Sequence, residues 1–323
     1  MNSYSAVVSV ASYLPEKVLP NQSIADNIDS SDEWIYERTG IKQRHIANDT
    51  ETTAFMAIEV AHKLIKHNNI NVDKIGVIIV ATCSAGLLMP GCASFVQEAI
   101  QANNAIAFDI NSACSGMVYA VHVADLMMKN EGHQYALVIG SEVMSKMVNW
   151  NDRSTSILFG DGAGGFLLKK QDDPGVVNTF LNSYGCTDLL RTRGIINQDP
   201  FYIEMKGREV FKHAIAAFKL VIKNLLEKSS LEIEDINWML PHQANVRIIQ
   251  ALEKHYQLGV DKWIATIDQH ANTSSASIPL ALHHHLSQGS GMRKGDLVMM
   301  VAFGAGFTCG GCLLKIDHVE VVA

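Results

Sequence analysis

Short runs of apolar residues alternate along the chain with longer stretches whose apolar positions recur at helical spacing, the pattern of strands separated by helices. The longest runs, such as Gly76 to Ala81 and Leu297 to Phe303, are strand-sized and far below the roughly 18 residues of a membrane helix. The strand-like runs repeat. Asp73 to Thr82 resembles Glu234 to His242, each an acidic lead-in followed by a buried-strand pattern. Ala105 to Asn111 leads into a helix beginning near Cys114, as the strand-like Trp263 to Asp268 leads towards a helix after Asn272. Tyr135 to Ser141 matches Asp296 to Ala302, and Gly165 to Lys169 matches Gly311 to Lys315. The offsets are about 160 residues for the first three pairs and somewhat less for the last, which suggests a duplication that has drifted. The expectation is an α/β chain of two duplicated halves in layers, 1–170 and 171–323, with parallel strands in each.

Composition narrows the class. The 323 residues are 48% hydrophobic and 18% charged, enough to bury a large core, so a disordered or fibrous chain is excluded. The net charge of −7 argues against non-specific nucleic-acid binding. Six cysteines in a chain this long do not form a disulfide framework. The first residues, Met-Asn-Ser-Tyr-Ser, lack a basic stretch leading into an apolar one, so the expected location is cytoplasmic, without membrane insertion.

Cys114 lies in Asn111-Ser-Ala-Cys-Ser-Gly116, ahead of a helix pattern of Met117, Val118, Val121, Ala124, Leu126 and Met128 with Gly132 as a stop. A helix N-terminus favours the thiolate, the attacking form of cysteine. A small buried hydrophobe is the bland alternative. His242, in Pro241-His-Gln-Ala-Asn245, follows a strand from which an imidazole can enter a cleft. Asn272 sits in a small polar turn, where it or Thr273 could equally cap a helix. Cys114 and Asn272 fall at the same strand-to-helix turn of the repeat, so a pseudo-twofold arrangement would bring them to one central site with His242. The turn Ala302-Phe-Gly-Ala-Gly-Phe307 can place a backbone N–H close to a ligand, although glycine turns between strands are also ordinary architecture.

Together these residues resemble the β-ketoacyl-acyl carrier protein synthase III family, condensing enzymes of the thiolase fold, over nearly the whole chain. The resemblance rests on Asp32-Glu-Trp-Ile35, Arg38-Thr-Gly-Ile41, Ala113-Cys-Ser-Gly116, Phe159-Gly-Asp-Gly-Ala-Gly164, Pro241-His-Gln-Ala-Asn245 and Asn272-Thr-Ser274. It implies a homodimer with a Cys114-His242-Asn272 triad and no cofactor, acyl-CoA being a substrate. Cys114 would take the acyl group as a thioester. His242 and Asn272 would stabilise the enolate formed when malonyl-acyl carrier protein loses CO₂. The N–H groups of Cys114 and Ala305 would form the oxyanion hole, and Phe303 would line the decarboxylation site. Trp34 and Arg153 would sandwich the CoA adenine, with Arg38 near its phosphates and Gly207, Phe211, Asn245 and Arg247 along the pantetheine channel.

Three departures bear on the acyl group. Met89 replaces a phenylalanine often found where the partner subunit closes the acyl pocket. Ala271 and Ala305 replace common glycines, and Cys309 a common tryptophan. The segment from Gly185 to Phe201 is shorter than in typical members. A related condensing enzyme or acyltransferase of secondary metabolism, or a non-catalytic acyl-binding homologue, would share the same residues.

Other signals are weaker. Gly160-Asp-Gly-Ala-Gly-Gly165 spells a dinucleotide fingerprint, but a strand pattern follows it rather than a helix. Cys309-Gly-Gly-Cys312 has metal or redox spacing but lacks a second ligand pair, and His283-His284-His285 reads as surface, so no metal is expected. From Lys206 to Lys223, five basic side chains face one acid, a local +4 in an acidic protein. Arg208, Lys212, Lys219 and Lys223 recur at helical spacing beside an apolar stripe of Phe211, Ile215, Phe218 and Ile222. With Arg247 they are the expected docking surface for an acidic carrier protein.

Overall fold

The computed structural model describes residues 4–129, 133–192 and 201–322. The chain begins with β1 (Tyr4–Tyr13), then β2 (Val18–Pro20), α1 (Asn21–Ala25), α2 (Asp32–Thr39) and β3 (Gln43–His45). There follow α3 (Thr53–Asn68), β4 (Ile75–Ala81), α4 (Cys92–Ile100), β5 (Ile106–Ile110), α5 (Gly116–Met128), β6 (Tyr135–Val143) and β7 (Asp161–Gln171). Next come β8 (Val176–Cys186), β9 (Leu190–Thr192), β10 (Ile203–Met205), α6 (Gly207–Ser229), β11 (Trp238–Pro241) and α7 (Val246–Tyr256). The chain closes with α8 (Ile267–His270), α9 (Ser277–Ser287), β12 (Leu297–Gly304), β13 (Gly306–Lys315) and β14 (Glu320–Val322).

Two sheets organise these elements, in the orders β14-β1-β7-β6-β4-β5 and β11-β12-β13-β8. Helices α5 and α9 lie between the sheets, α3 and α4 cover the outer face of the first, and α6 and α7 cover the outer face of the second. The result is the layered thiolase-type α/β architecture. The layers follow from period-two patterning. Along β4, Val77, Ile79 and Ala81 face the central layer, while Ile78 and Val80 face α3 and α4. Along β12, Val298, Met300 and Ala302 face the central layer, while Met299, Val301 and Phe303 face α6. Every residue of β4 is buried, as a strand covered on both faces requires.

The structure corrects several sequence expectations. Parallel pairing holds for β4 with β5 and β6, and for β11 with β12, but β7 and β13 run antiparallel to their neighbours β6 and β12. Both sheets are therefore mixed. Trp263 to Asp268 is not a strand, and Trp263 makes only an isolated bridge to Met239. The Gln243 side chain takes the place of a neighbouring strand here: its amide donates to Ile264 O, and its carbonyl accepts from Thr266 N–H. In α5, Leu126 is 49% exposed rather than part of the buried set, and the expected stop at Gly132 lies outside the described residues. The buried stripe of α6 is Val210, Ala214, Ala217, Phe218, Val221, Ile222 and Leu225, so Phe211 and Ile215 are only half-buried at its edge.

The glycines of the apparent dinucleotide motif serve packing in β7. A Cβ on Gly164 would press on Pro279 and Leu280 of α9, and one on Gly165 on Ile139 and Val60. Cys309 and Cys312, three apart in β13, point into different layers and cannot chelate together. Among the described residues no group of three or more His, Cys, Asp or Glu could hold a metal ion. The three consecutive histidines are half-buried rather than on the surface. His283 bonds Ser12 and Val322 O, His284 approaches the His270 ring, and His285 packs edge-on to Trp238.

Candidate active site

Cys114 stands two residues before α5 in a turn closed by hydrogen bonds from Gly116 N–H to Ala113 O and from Ser115 Oγ to Ser112 O. A hairpin from the other end of the chain braces this turn. Thr308 Oγ1 lies 2.8 Å from Ser115 Oγ and 3.2 Å from Ser112 O. Gly304, at the tip of the same hairpin, leaves no room for a side chain, because its Cβ would meet Ser112 O at 2.7 Å and the amide nitrogens of Cys114 and Ser115 at 2.9 and 3.0 Å. The helix start was expected to favour the thiolate. Burial is the larger effect and pushes the Cys114 thiol up to about 12, against a hydrogen bond from Ser274 that lowers it.

His242 follows β11, held by its N–H to Val301 O at 2.8 Å. Its Nδ1 lies 2.6 Å from Ser277 Oγ, and its Nε2 is buried without a partner. Burial brings its pKa down to about 3, so the ring is neutral at physiological pH. The Ser277 hydroxyl accepts from Gln243 N–H at 3.3 Å, leaving its own proton to donate to Nδ1. With the Ser277 proton donated to Nδ1, the imidazole proton is on Nε2.

Asn272 is anchored through its backbone, donating to Leu158 O and accepting from Gly160 N–H. Its side-chain carbonyl accepts from Ser274 N–H at 2.9 Å, so the amide NH₂ is the group available to a ligand. The preceding Ala271 has φ 56° and ψ −158°, a region almost confined to glycine. The substitution seen in the sequence therefore carries real backbone strain beside the site. Ser277 and Gln243 were not singled out by sequence reasoning. The clue lay in the serine-rich run Thr273-Ser-Ser-Ala-Ser277 after Asn272 and in Gln243 following His242.

Two cavities meet at Cys114. The first, about 790 Å³, is largely apolar and is lined by Cys83, Leu87, Leu88, Met144, Met147, Phe159 and Ala305. The second, about 880 Å³, brings Cys114, His242, Asn272 and Phe303 together at one end. Phe303 turns its ring edgewise to His242, with centroids 5.6 Å apart. The predicted Trp34, Arg38, Arg153, Gly207, Phe211, Asn245 and Arg247 all line this second cavity, with Arg208 and Lys212. Its lining carries five cationic side chains and no carboxylate, a match for a phosphorylated ligand.

Arg153 and Arg38 lie directly on the Trp34 ring, at 4.8 and 5.4 Å. A base between Trp34 and Arg153 would need about 7 Å, twice the stacking distance of about 3.4 Å, so the sandwich is closed and Arg153 must swing away to admit one. Met89, which the resemblance places where a partner subunit closes the acyl pocket, is 83% exposed on its own chain, whose apolar cavity is lined by Leu87 and Leu88. Of the basic residues on α6, Arg208 and Lys212 border the channel, whereas Lys219 is half-buried and Lys223 pairs with Glu227. Part of Gly185 to Phe201 lies outside the described residues. Of its described residues, Leu190, Arg191, Thr192 and Phe201 line the apolar cavity.

Comparison with known proteins agrees with this architecture. Residues 108–185 match the family model of 3-oxoacyl-[acyl-carrier-protein] synthase III, and residues 226–316 match the model of its C-terminal part. A β-ketoacyl-[acyl-carrier-protein] synthase III from Wolbachia pipientis subsp. Culex pipiens (strain wPip) is 46% identical over 97% of this chain and 99% of its own. One from Ehrlichia chaffeensis (strain ATCC CRL-10679 / Arkansas) is 43% identical over the same shares of the two chains. The crystal structure of 3-oxoacyl-[acyl-carrier-protein] synthase III from Aquifex aeolicus VF5 superposes with a TM-score of 0.91 at 39% identity, covering 97% of this chain and all of that one. By sequence, fold and the layout of its central cavity, the chain belongs to the β-ketoacyl-[acyl-carrier-protein] synthase III family of condensing acyltransferases.

Proposed function

We propose that this enzyme joins an acyl-CoA to malonyl-acyl carrier protein by decarboxylative condensation, the first step of fatty-acid chain building, with Cys114 as nucleophile. The observation that carries the reading is the place of Cys114 at the wall between a cationic channel and an apolar cavity. A CoA thioester has the same polarity: phosphates at one end, an acyl chain at the other.

The acyl-CoA enters along the channel, its adenine between Trp34 and Arg153, its phosphates met by Arg38 and its pantetheine running past Arg247, and its acyl chain passes into the apolar cavity. Cys114 Sγ attacks the thioester carbonyl, the C–S bond to CoA breaks, and the thiol proton leaves with CoA. The backbone N–H groups of Cys114 and Ala305 receive the developing oxyanion, each contributing roughly 3 kcal/mol. Malonyl-acyl carrier protein then occupies the vacated channel. His242 Nε2–H and the Asn272 amide donate to its thioester oxygen while CO₂ departs; the resulting enolate carbon attacks the acyl-Cys114 carbonyl, the bond from that carbonyl to Sγ breaks, and the released thiolate takes up a proton from solvent to restore the thiol. Phe303 excludes water from this end. A neutral His242 with its proton on Nε2 suits the donor role, since no proton need be removed first.

The same proposal includes two further points. The apolar loop Leu87-Leu88-Met89, exposed at 56, 73 and 83%, is covered by a second copy of the chain, giving a homodimer. Six free cysteines support a reducing, cytoplasmic setting. The deciding experiment incubates the enzyme with a panel of acyl-CoAs, measures the mass gained at Cys114, and then supplies malonyl-acyl carrier protein. Acylation followed by β-ketoacyl product is expected. Full acyl transfer by a Cys114→Ala variant would overturn the mechanism.

A further inference from the structure

A series of ring contacts runs from His242 to the outer surface of the second half. Phe303, edge-on to His242, stacks on Phe307 with centroids 5.5 Å apart and planes 3° from parallel. Phe307 stacks in turn on Tyr184 at 5.6 Å and 20°. Tyr184 Oη lies 2.9 Å from His213 Nδ1, and the His213 ring also touches Phe307 at 5.7 Å. Phe218 closes the remaining side of Phe303, edge-on at 5.4 Å.

The outer members of this series are not simple core filler. Tyr184 is 38% exposed and His213 half-buried, yet the two are joined by a hydrogen bond and both rest on the fully buried Phe307. The contact sits where the pairing of β8 with β13 shifts register between Gly306 and Thr308, so Phe307 lies at an irregular point of the ladder. Side chains therefore supply the fixation that the ladder lacks. His213 also belongs to α6, whose first turns line the cationic channel through Gly207, Phe211 and Lys212.

We propose that Tyr184 and His213 are positioning residues for the malonyl half of the reaction: their hydrogen-bonded pair clamps Phe307, and Phe307 fixes the Phe303 ring against His242. The inference rests on the function proposed above. Phe303 borders the decarboxylation end of the channel and does not line the acyl cavity, so loosening it affects the second half-reaction and spares the first.

The test separates the two halves in the full-length enzyme. Acylation of Cys114 by acyl-CoA is timed by mass spectrometry, and decarboxylation of malonyl-acyl carrier protein by CO₂ release, for the wild type, Tyr184→Ala, Tyr184→Phe and His213→Ala. Tyr184→Ala is expected to slow decarboxylation by about tenfold, the rate equivalent of one aromatic pair, with acylation within about twofold. Tyr184→Phe, which keeps the ring and loses the hydrogen bond, should fall between it and the wild type. Equal losses in both half-reactions, or no loss in either, would overturn the inference. If Tyr184→Ala does not fold, Tyr184→Phe and His213→Ala decide by the same criterion. A wild type that takes no acyl group at Cys114 would instead sink the functional reading.

Discussion

Replacing Gly304 by alanine puts a methyl group into the backbone of the nucleophile turn. The new Cβ would lie 2.7 Å from Ser112 O and 2.9 Å from Cys114 N, whereas ordinary contact begins at 3.4 Å. The Cys114 amide must therefore retreat by about 0.5 Å, and no rotamer can absorb the clash because the atoms struck are main chain. An oxyanion bond of about 2.9 Å would stretch to about 3.4 Å, outside the useful range of about 2.7–3.1 Å. Losing one such donor costs a factor of about 10² to 10³, and overpacking removes about 1–3 kcal/mol of stability. The assay is rapid-quench acylation by acyl-CoA, read as mass gained at Cys114, beside thermal unfolding to show that the variant is folded. Gly304→Ala acylating within threefold of wild type would refute both the contact argument and the assignment of this amide to the oxyanion hole.

Other perturbations follow from the same geometry. Ala271→Gly relieves a backbone conformation that costs about 1–3 kcal/mol, less the entropy glycine adds to the unfolded chain. A net gain of about 1 kcal/mol in chemical denaturation is expected, and a loss would show that Ala271 is unstrained. Burial holds His242 and His270 at about 3 in the folded chain, below their ordinary 6.5. Their stabilising contribution is complete above pH 6.5 and is lost as pH falls towards 3, the loss reaching about 2 kcal/mol for each at pH 5. Denaturation midpoints at pH 7 and pH 5 should show the fall, and His270→Gln should reduce it; equal midpoints would contradict the burial argument. Lys212→Glu, on the channel lining, should raise the KM for the carrier protein several-fold and that for acyl-CoA by less, with a smaller effect from the half-buried Lys219→Glu. Equal effects of Lys212→Glu on both substrates would remove α6 as the docking surface.

Much of this enzyme is legible without coordinates, because the features concerned are local. Buried strands such as β4 and β12 declare themselves as unbroken apolar runs, since a strand covered on both faces has no polar side. The strand-to-helix turn carrying Cys114 and the strand end carrying His242 follow from short-range patterning, whereas Asn272 follows the short helix α8 and not the strand expected there. The structure places Cys114, His242 and Asn272 on the lining of one cavity.

Tertiary structure decided what depends on contact between distant residues. No local pattern could show that Gln243 would replace a strand at Ile264 and Thr266, or that Ser277 would orient His242. The state of Cys114 is the clearest case. A helix start favours the thiolate, but burial in the folded chain pushes the Cys114 thiol up to about 12 and outweighs the hydrogen bond from Ser274 that lowers it. Sequence determined which chemical groups are present and on which elements. Folding determined their surroundings, and burial, which is a property of the whole packed molecule, set which of those groups are charged and which face the substrate.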